Sequence, residues 1–356
     1  MENTFMKLVI DDAVWGYEKI FSEFGNIVAL PGRNINRENV FDCDALIIRS
    51  RTTINKELLE GTNVRFVGST VAGLDHVDEA YLEKNNIKFA SAQGCNANAV
   101  AEYVISALAN LSVDYAFNLE DKTLGIIGVG NVGSQLNHKA KQLGIKTLLN
   151  DPPRQKMENL VDFVDLNTAL SADIVSFHTP LTHVGSFPSI NLLGQHNFDL
   201  ITKDTIIINT ARGEIIDEEI WQKTQTKANV IDCWKNEPNI NKSLQQSAYW
   251  ATPHIAGHSI DAKFKGSHMI YQALCGFTNT LPNADVGNLV KPPQISVNRN
   301  SLKSTLNAIY PFIEDNLAIK DTTQFEHYRR HYPIRYEWHH FDSKITLPRA
   351  LPLTIG

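Results

Sequence analysis

The ten residues Leu124-Gly125-Ile126-Ile127-Gly128-Val129-Gly130-Asn131-Val132-Gly133 constrain the fold more than any other stretch, because an apolar strand runs directly into a Gly-x-Gly-x-x-Gly turn that opens a helix. The arrangement reads as a dinucleotide cradle. Gly128 permits the tight turn, Gly130 lets the backbone approach a pyrophosphate with no Cβ in the way, and Gly133 lets the helix pack close to the strand. The first free N–H groups of that helix then face the phosphates. Val132, Leu136, Ala140 and Leu143 mark the apolar face of the helix, and Gly144 ends it. A second strand, 145–150, leads to Asp151, eighteen residues past Gly133 and placed to accept both hydroxyls of an adenosine ribose. That favours NAD over NADP: Arg154 is near enough to meet a 2′-phosphate, but Asp151 repels one, and Arg154 reads as a surface residue. Glycine triplets also occur in methyltransferases and in plain structural turns; here the flanking strand, the helix and Asp151 carry the assignment.

With 356 residues the chain is too long for one ordinary core, so two or three domains are expected. A net charge of -6 argues against nucleic acid or an anionic membrane as partner. Cys43, Cys95, Cys233 and Cys275 are far apart and form no Cys-x-x-Cys pair, so neither a zinc site nor a disulfide framework is indicated, and a reducing cytoplasm fits. The amino terminus lacks the apolar core of a signal peptide, and no apolar run approaches a membrane span.

From Lys7 strands and helices alternate. The run 8–10, a helix over 13–24, and strands at 26–30, 45–52, 64–69 and 87–92 make a first βα array. The strand ending at Arg49-Ser50-Arg51-Thr52 carries two cations and two hydroxyls, which suits either an anion site or a solvated loop. A helix from Asn96 to Leu111 presents Val100, Val104, Ile105, Leu108 and Leu111 on one face. After the cradle come strands at 174–177, 206–209 and 230–231, each with polar residues at its carboxyl end, the edge where open parallel sheets bind ligands. A long helix, 259–278, returns to the first domain, and 281–296 reads as a Pro/Asn/Gly-rich linker. Beyond it, Leu302, Leu306, Ile309 and Ile313 have helical spacing, and 325–338 reads as a second amphipathic piece. Too poor in apolar residues to stand alone, this segment suits packing on a partner subunit. The expected fold class is therefore α/β: two Rossmann/flavodoxin-like parallel-sheet domains with a cleft between them (1–95 with 258–285, and 96–257), plus a small C-terminal α+β dimerisation domain (286–356).

Three polar residues near successive strand ends could carry chemistry. Arg212 offers a planar fork matched to a carboxylate, and Gly213 after it suits close ligand approach. His254 could accept a hydroxyl proton near neutral pH. Glu237 could hold that imidazole and stabilise its protonated form. Taken singly, each has an ordinary structural explanation: a surface ion pair, a satisfied buried histidine, a loop acid. His327 and His331, at i and i+4, have metal-ligand spacing, but Arg329 and Arg330 beside them favour a solvated or subunit-facing surface, and no metal is expected.

The cradle, Asn209-Thr210-Ala211-Arg212-Gly213, Asp232-Cys233-Trp234-Lys235-Asn236-Glu237-Pro238 and Pro253-His254-Ile255-Ala256-Gly257 occur in the order seen in D-isomer specific 2-hydroxyacid dehydrogenases, which the chain resembles from Leu8 to about Thr280. The resemblance implies that Arg212 binds the substrate carboxylate, His254 exchanges the hydroxyl proton and Glu237 supports His254. It implies NAD held by Gly128, Gly130, Asn131, Val132, Gly133, Asp151, Thr179, Thr210, Ala211, Asp232 and Gly257, with Asp232 on the nicotinamide amide. It implies Ser50 as a substrate contact, with Arg49 beside it. Val71 and His258 stand where a threonine and a tyrosine are expected, both substrate-facing; Val71 loses a hydrogen bond, whereas His258 can still donate one. A likeness of Phe325-Glu326-His327-Tyr328-Arg329-Arg330 through Trp338 to one branch of the family extends the match to the C-terminal segment. It implies a phosphorylated hydroxy acid as substrate and a homodimer. Two other readings stay open, oxidation of a different D-2-hydroxy acid of the glycerate or 3-phosphoglycerate type, and an NAD-responsive binding protein without turnover.

Overall fold

The computed structural model describes residues 5–283, 285, 286, 289, 290, 301–310 and 312–341. They divide into two compact units, one from the described residues of 1–96 and 259–291, the other from those of 97–258 and 292–356.

In the first unit, β1 (Met6–Asp11), β2 (Gly25–Leu30), β3 (Ala45–Ile48), β4 (Phe66–Ser69) and β5 (Lys88–Ser91) form a parallel sheet ordered β2-β1-β3-β4-β5. β3 and β4 are buried along their whole length, as a sheet covered on both faces requires. The helix Ile260–Thr278, capped by the Ser259 side chain and ended by Asn279 at φ 56, lays Ile270, Tyr271 and Leu274 on Leu8, Ile10, Ile47 and Phe66. The expected helix over 13–24 is reduced to Tyr17–Ile20 and a 3-10 turn, Ser22–Phe24. Asp11 ties down the Ala13 N–H at 2.9 Å, and Gly16 enters the left-handed region at φ 67, so the helix starts only after it.

In the second unit, β6 (Thr123–Ile127), β7 (Lys146–Asn150), β8 (Ile174–Phe177), β9 (Ile206–Asn209), β10 (Ala228–Ile231) and β11 (Trp250–Ala251) are again all parallel, ordered β11-β10-β9-β8-β6-β7. The winding reverses between β6 and β8. At such a switch point the carboxyl ends of the strands open a ligand crevice, and Gly128 and His178 follow the two strands there.

The helix Ala97–Asp114 departs from the one-face expectation, because Ala99, Ala101, Tyr103, Ala107 and Ala109 are buried as well as the predicted stripe. The reason is the C-terminal segment. Its helix Leu302–Ile309 packs Leu306 and Ile309 into the same core, and Asn110 and Asn307 exchange amide hydrogen bonds at 2.9 and 3.1 Å. Rather than forming a third compact unit, the described residues of the segment complete the core of the second, with Tyr310, Phe312, Tyr332 and Trp338 beside Tyr103 and Trp250. Among them are helices Leu302–Ile309, Phe312–Ala318 and Phe325–Arg330, but no strand. The amphipathic piece expected over 325–338 stops at Arg330, since Pro333 lacks the N–H a continuing helix needs. Most of the expected linker lies outside the described residues.

Candidate active site

Gly128 sits at φ 86, and a Cβ there would lie 2.8 Å from the backbone of His178 and Thr179; at Gly133 it would lie 2.1 Å from Gly128 O. Both glycines are thus required by packing. Gly130 differs, with nothing within 4 Å of its missing Cβ, so its bareness faces open space. Asn131 and Val132 begin the helix Asn131–Gln142, whose first N–H groups point into that space.

Val129 is gripped from both sides. Its N–H donates to Asp151 Oδ2 at 2.9 Å, and its carbonyl accepts from Arg154 Nη1 at 2.7 Å. Asp151 also caps the helix Pro152–Glu158 by accepting the Arg154 N–H at 3.0 Å, which leaves lone pairs on its carboxylate for hydroxyl donors. Arg154 is more than the surface residue expected: it braces the glycine turn, touches Ser134 Oγ at 3.3 Å and pairs with Glu158 at 2.7 Å. With its fork so engaged, it is not poised for a 2′-phosphate.

Across the switch point, the Thr179 hydroxyl is buried with no hydrogen-bond partner among the described residues. A buried, unsatisfied hydroxyl against the glycine turn is what a site for a polar, phosphate-bearing ligand leaves. A dinucleotide therefore fits. His178, not singled out from the sequence, bridges neighbouring strands, with Nε2 2.9 Å from Ser176 Oγ and Nδ1 3.1 Å from Thr210 Oγ1. Desolvation pushes its pKa down to about 3, so it stays a neutral strut.

Beyond β9, the buried Asn209 shapes the turn that carries Arg212. Its amide donates to the carbonyl of Arg212 at 3.0 Å and of Cys233 at 3.4 Å, and its Oδ1 accepts the Ala211 N–H at 3.1 Å. Arg212 is half-buried, with Nη1 2.7 Å from Ala211 O. Gly213 serves packing rather than the ligand approach expected of it: a Cβ would lie 2.0 Å from Lys235 N and from the Trp234 carbonyl carbon.

His254 Nδ1 lies 2.9 Å from Glu237 Oε2 and 3.1 Å from Oε1, and Oε1 also accepts the Trp234 N–H at 2.9 Å. Burial alone would raise the Glu237 carboxyl; the His254 imidazole, Arg329 and the Trp234 N–H outweigh it and hold the acid below its ordinary range. A carboxylate on Nδ1 fixes the proton there, so the neutral ring offers the lone pair of Nε2. His254 is itself in the left-handed region, at φ 55, a conformation that persists only where the surroundings over-determine it. They do so through Asp232, whose carbonyl accepts the His254 N–H at 2.8 Å. Its buried carboxylate accepts Thr252 Oγ1 at 2.7 Å, the Ile255 N–H at 2.8 Å and the Ala256 N–H at 3.0 Å. Burial raises the Asp232 pKa, although His254, Thr252 and these N–H groups act to lower it. The side chain expected on the nicotinamide amide thus also clamps the histidine loop.

Gly257 and His258 follow that loop, and the His258 ring stands edge-on to Tyr332 at 5.8 Å. The remaining predicted residues lie in the first unit. Arg49 and Ser50 follow β3 and Val71 follows β4, all at one sheet edge, because Ile48 pairs with Ser69. Asp11, missed from the sequence, lies beside Arg49; burial raises its pKa against the pull of the Ala13 N–H and the Arg49 cation.

Comparison with known proteins agrees with this geometry. Residues 103–256 match the family model described as D-isomer specific 2-hydroxyacid dehydrogenase, NAD binding domain. The chain is 60% identical to erythronate-4-phosphate dehydrogenase of Ruthia magnifica subsp. Calyptogena magnifica, over 97% of this chain and 100% of the relative. It is 49% identical to the enzyme of the same name from Hydrogenovibrio crunogenus, over 93% and 92%. Among solved structures it is similar to the cofactor (NAD+) bound 3-phosphoglycerate dehydrogenase of Entamoeba histolytica, with a TM-score of 0.64 and 25% identity over 77% of this chain and 96% of that one.

Proposed function

The chain belongs to the erythronate-4-phosphate dehydrogenase family, and from that premise we propose that it oxidises the 2-hydroxyl of 4-phospho-D-erythronate to the 2-oxo acid with NAD, the step that carries this substrate toward pyridoxine 5′-phosphate. The observation that carries the reading is the Glu237–His254 pair, which leaves Nε2 as a base at the carboxyl edge of a dinucleotide-binding sheet. When bound, NAD supplies the hydride acceptor. His254 Nε2 takes the hydroxyl proton, and Glu237 stabilises the resulting imidazolium. Arg212 pairs with the substrate carboxylate and fixes C2 relative to the base; orientation of this kind can be worth ~7–11 kcal/mol. Gly128, Gly130, Asn131, Val132 and Gly133 present the pyrophosphate-binding backbone, Asp151 takes the ribose hydroxyls, and Thr179, Thr210, Ala211, Asp232 and Gly257 line the rest of the cofactor site. Arg49 and Ser50 contact the substrate.

The assay is purified protein with 4-phosphoerythronate, NAD and a 2-oxo acid to reoxidise any bound cofactor. Absence of any NAD-dependent conversion of 4-phosphoerythronate to its 2-oxo acid would sink the proposal. Val71, an aliphatic side chain where a hydroxyl is expected, and His258 favour a second reading within the same class, another D-2-hydroxy acid of the glycerate or 3-phosphoglycerate type. A substrate panel ranked by kcat/KM separates the two.

The same reading places the enzyme in the cytoplasm as a homodimer. Its support is that the four cysteines are buried free thiols and that Ile313, Leu317 and Ile334 of the C-terminal segment are 54%, 49% and 69% exposed. Sedimentation of the full chain tests the dimer.

A further inference from the structure

The C-terminal segment sends one buried cation to the catalytic loop. Arg335 donates from Nη2 to the carbonyl of Ala256 at 2.5 Å, and its guanidinium lies over the Tyr310 ring at 4.6 Å. That ring is itself fixed, because Tyr310, Tyr328 and Tyr332 all donate to the buried Asp315, at 2.5, 2.6 and 2.8 Å. The Asp315 and Glu102 carboxylates favour the buried charge, but Ala256 O is a carbonyl that a neutral donor or a water could serve.

What the cation touches gives the reason. The Ala256–Gly257 peptide is planar, so holding its oxygen also sets the direction of the Gly257 N–H. On the other side of Ala256, Asp232 holds the N–H groups of Ile255 and Ala256. With the His254 N–H held by Asp232 O at 2.8 Å and these grips just after it, His254 is kept in its left-handed backbone conformation. We propose that Arg335 is a positioning residue of the dehydrogenase, which aims the Ala256–Gly257 peptide and through it both the His254 base and the cofactor-facing Gly257. The proposal rests on the dehydrogenase reading and extends it to a segment that carries none of the reacting groups.

The test compares R335Q and R335K with N316A in the full chain. Asn316 is a control from the same segment, since its Oδ1 accepts the Ala251 N–H at 2.8 Å, on β11 rather than on the Ala256–Gly257 peptide. R335Q is expected to lower kcat by roughly tenfold or more, as small misplacements of a catalytic group do. Its KM for the hydroxy acid changes less, its Kd for NAD weakens severalfold, and the isotope effect with C2-deuterated substrate rises. R335K recovers part of kcat; N316A lowers the melting temperature but leaves kcat and the isotope effect alone. A folded R335Q with kcat, NAD affinity and isotope effect at wild-type values overturns the proposal; if R335Q does not fold, R335K with those values does. Failure of the substrate reading shows instead in the wild type. The ratios are then taken on whichever 2-hydroxy acid it oxidises, and if none, equal NAD affinity in R335Q and wild type overturns the proposal.

Discussion

Glu237 Oε2 lies 2.9 Å from His254 Nδ1, and this one contact decides which nitrogen of the imidazole can act as a base. Glu237→Gln keeps the shape but removes the charge that stabilises the imidazolium. It is expected to lower kcat by on the order of 10²-fold, and His254→Gln by up to ~10⁴-fold, with NAD affinity nearly unchanged in both. Steady-state kinetics paired with a cofactor titration checks this; near-normal turnover in H254Q would remove His254 as the base.

Thr179 has a buried hydroxyl that lacks a partner among the described residues. Thr179→Val removes that polar atom at almost constant volume, so the cofactor-free protein should melt at the same temperature or slightly higher. If the hydroxyl serves NAD, its Kd weakens by about three- to tenfold, on the order of 1 kcal/mol. Nicotinamide fluorescence titration measures it, and an unchanged Kd removes Thr179 from the site.

Gly130 and Gly213 should respond oppositely to alanine. At Gly213 a Cβ meets the backbone of Trp234 and Lys235 at 2.0 Å, which no side-chain rotation relieves, so G213A should cost about 1–3 kcal/mol of stability. At Gly130 the Cβ meets nothing within 4 Å, so G130A should unfold within ~0.5 kcal/mol of wild type. Its NAD Kd should nevertheless weaken by about tenfold or more, on the order of 1.4 kcal/mol. Denaturant melts with and without NAD separate the cases; a destabilised G130A with normal affinity contradicts this account.

Glu102 gives the chain a pH dependence of its own. Burial raises its pKa from 4.5 to about 8, with Glu337 pushing the same way and Lys139 and the Trp338 N–H opposing. Between those values the folded protein holds a proton that the unfolded chain has lost, so this group's stabilising contribution is full below pH 4.5 and drains away as pH rises through about 8. Glu102→Gln keeps an acceptor for Trp338 N without titrating. Its melting temperature should gain on that of wild type steadily from pH 5 to pH 8; parallel curves would count against a raised Glu102.

Most of the cradle was legible because its determinants are local: the glycine spacing, the flanking strand and Asp151 lie within one βαβ unit. Arg212, Glu237 and His254 could be named as strand-end residues, but their pairing depends on where β10 and β11 lie in the sheet, which no spacing reveals. The braces were out of reach for a stronger reason. Asn209, His178 and Arg335 act on backbone carbonyls or hydroxyls of other segments, and a carbonyl has no side chain to leave a pattern; Arg335 and Ala256 are 79 positions apart. Gly213 was misread for the same cause, since a glycine needed by a neighbouring backbone looks like one needed by a ligand. The all-round burial of helix Ala97–Asp114 was hidden because its cover arrives two hundred residues later.

That late cover has a consequence for anyone trimming the protein to a two-lobed minimum. Tyr103, Leu108 and the alanines around them are roofed by Leu306, Ile309 and Phe312, so ending the chain before residue 301 would strip an oily helix bare rather than detach an accessory. Such a shortened form should clump instead of crystallising.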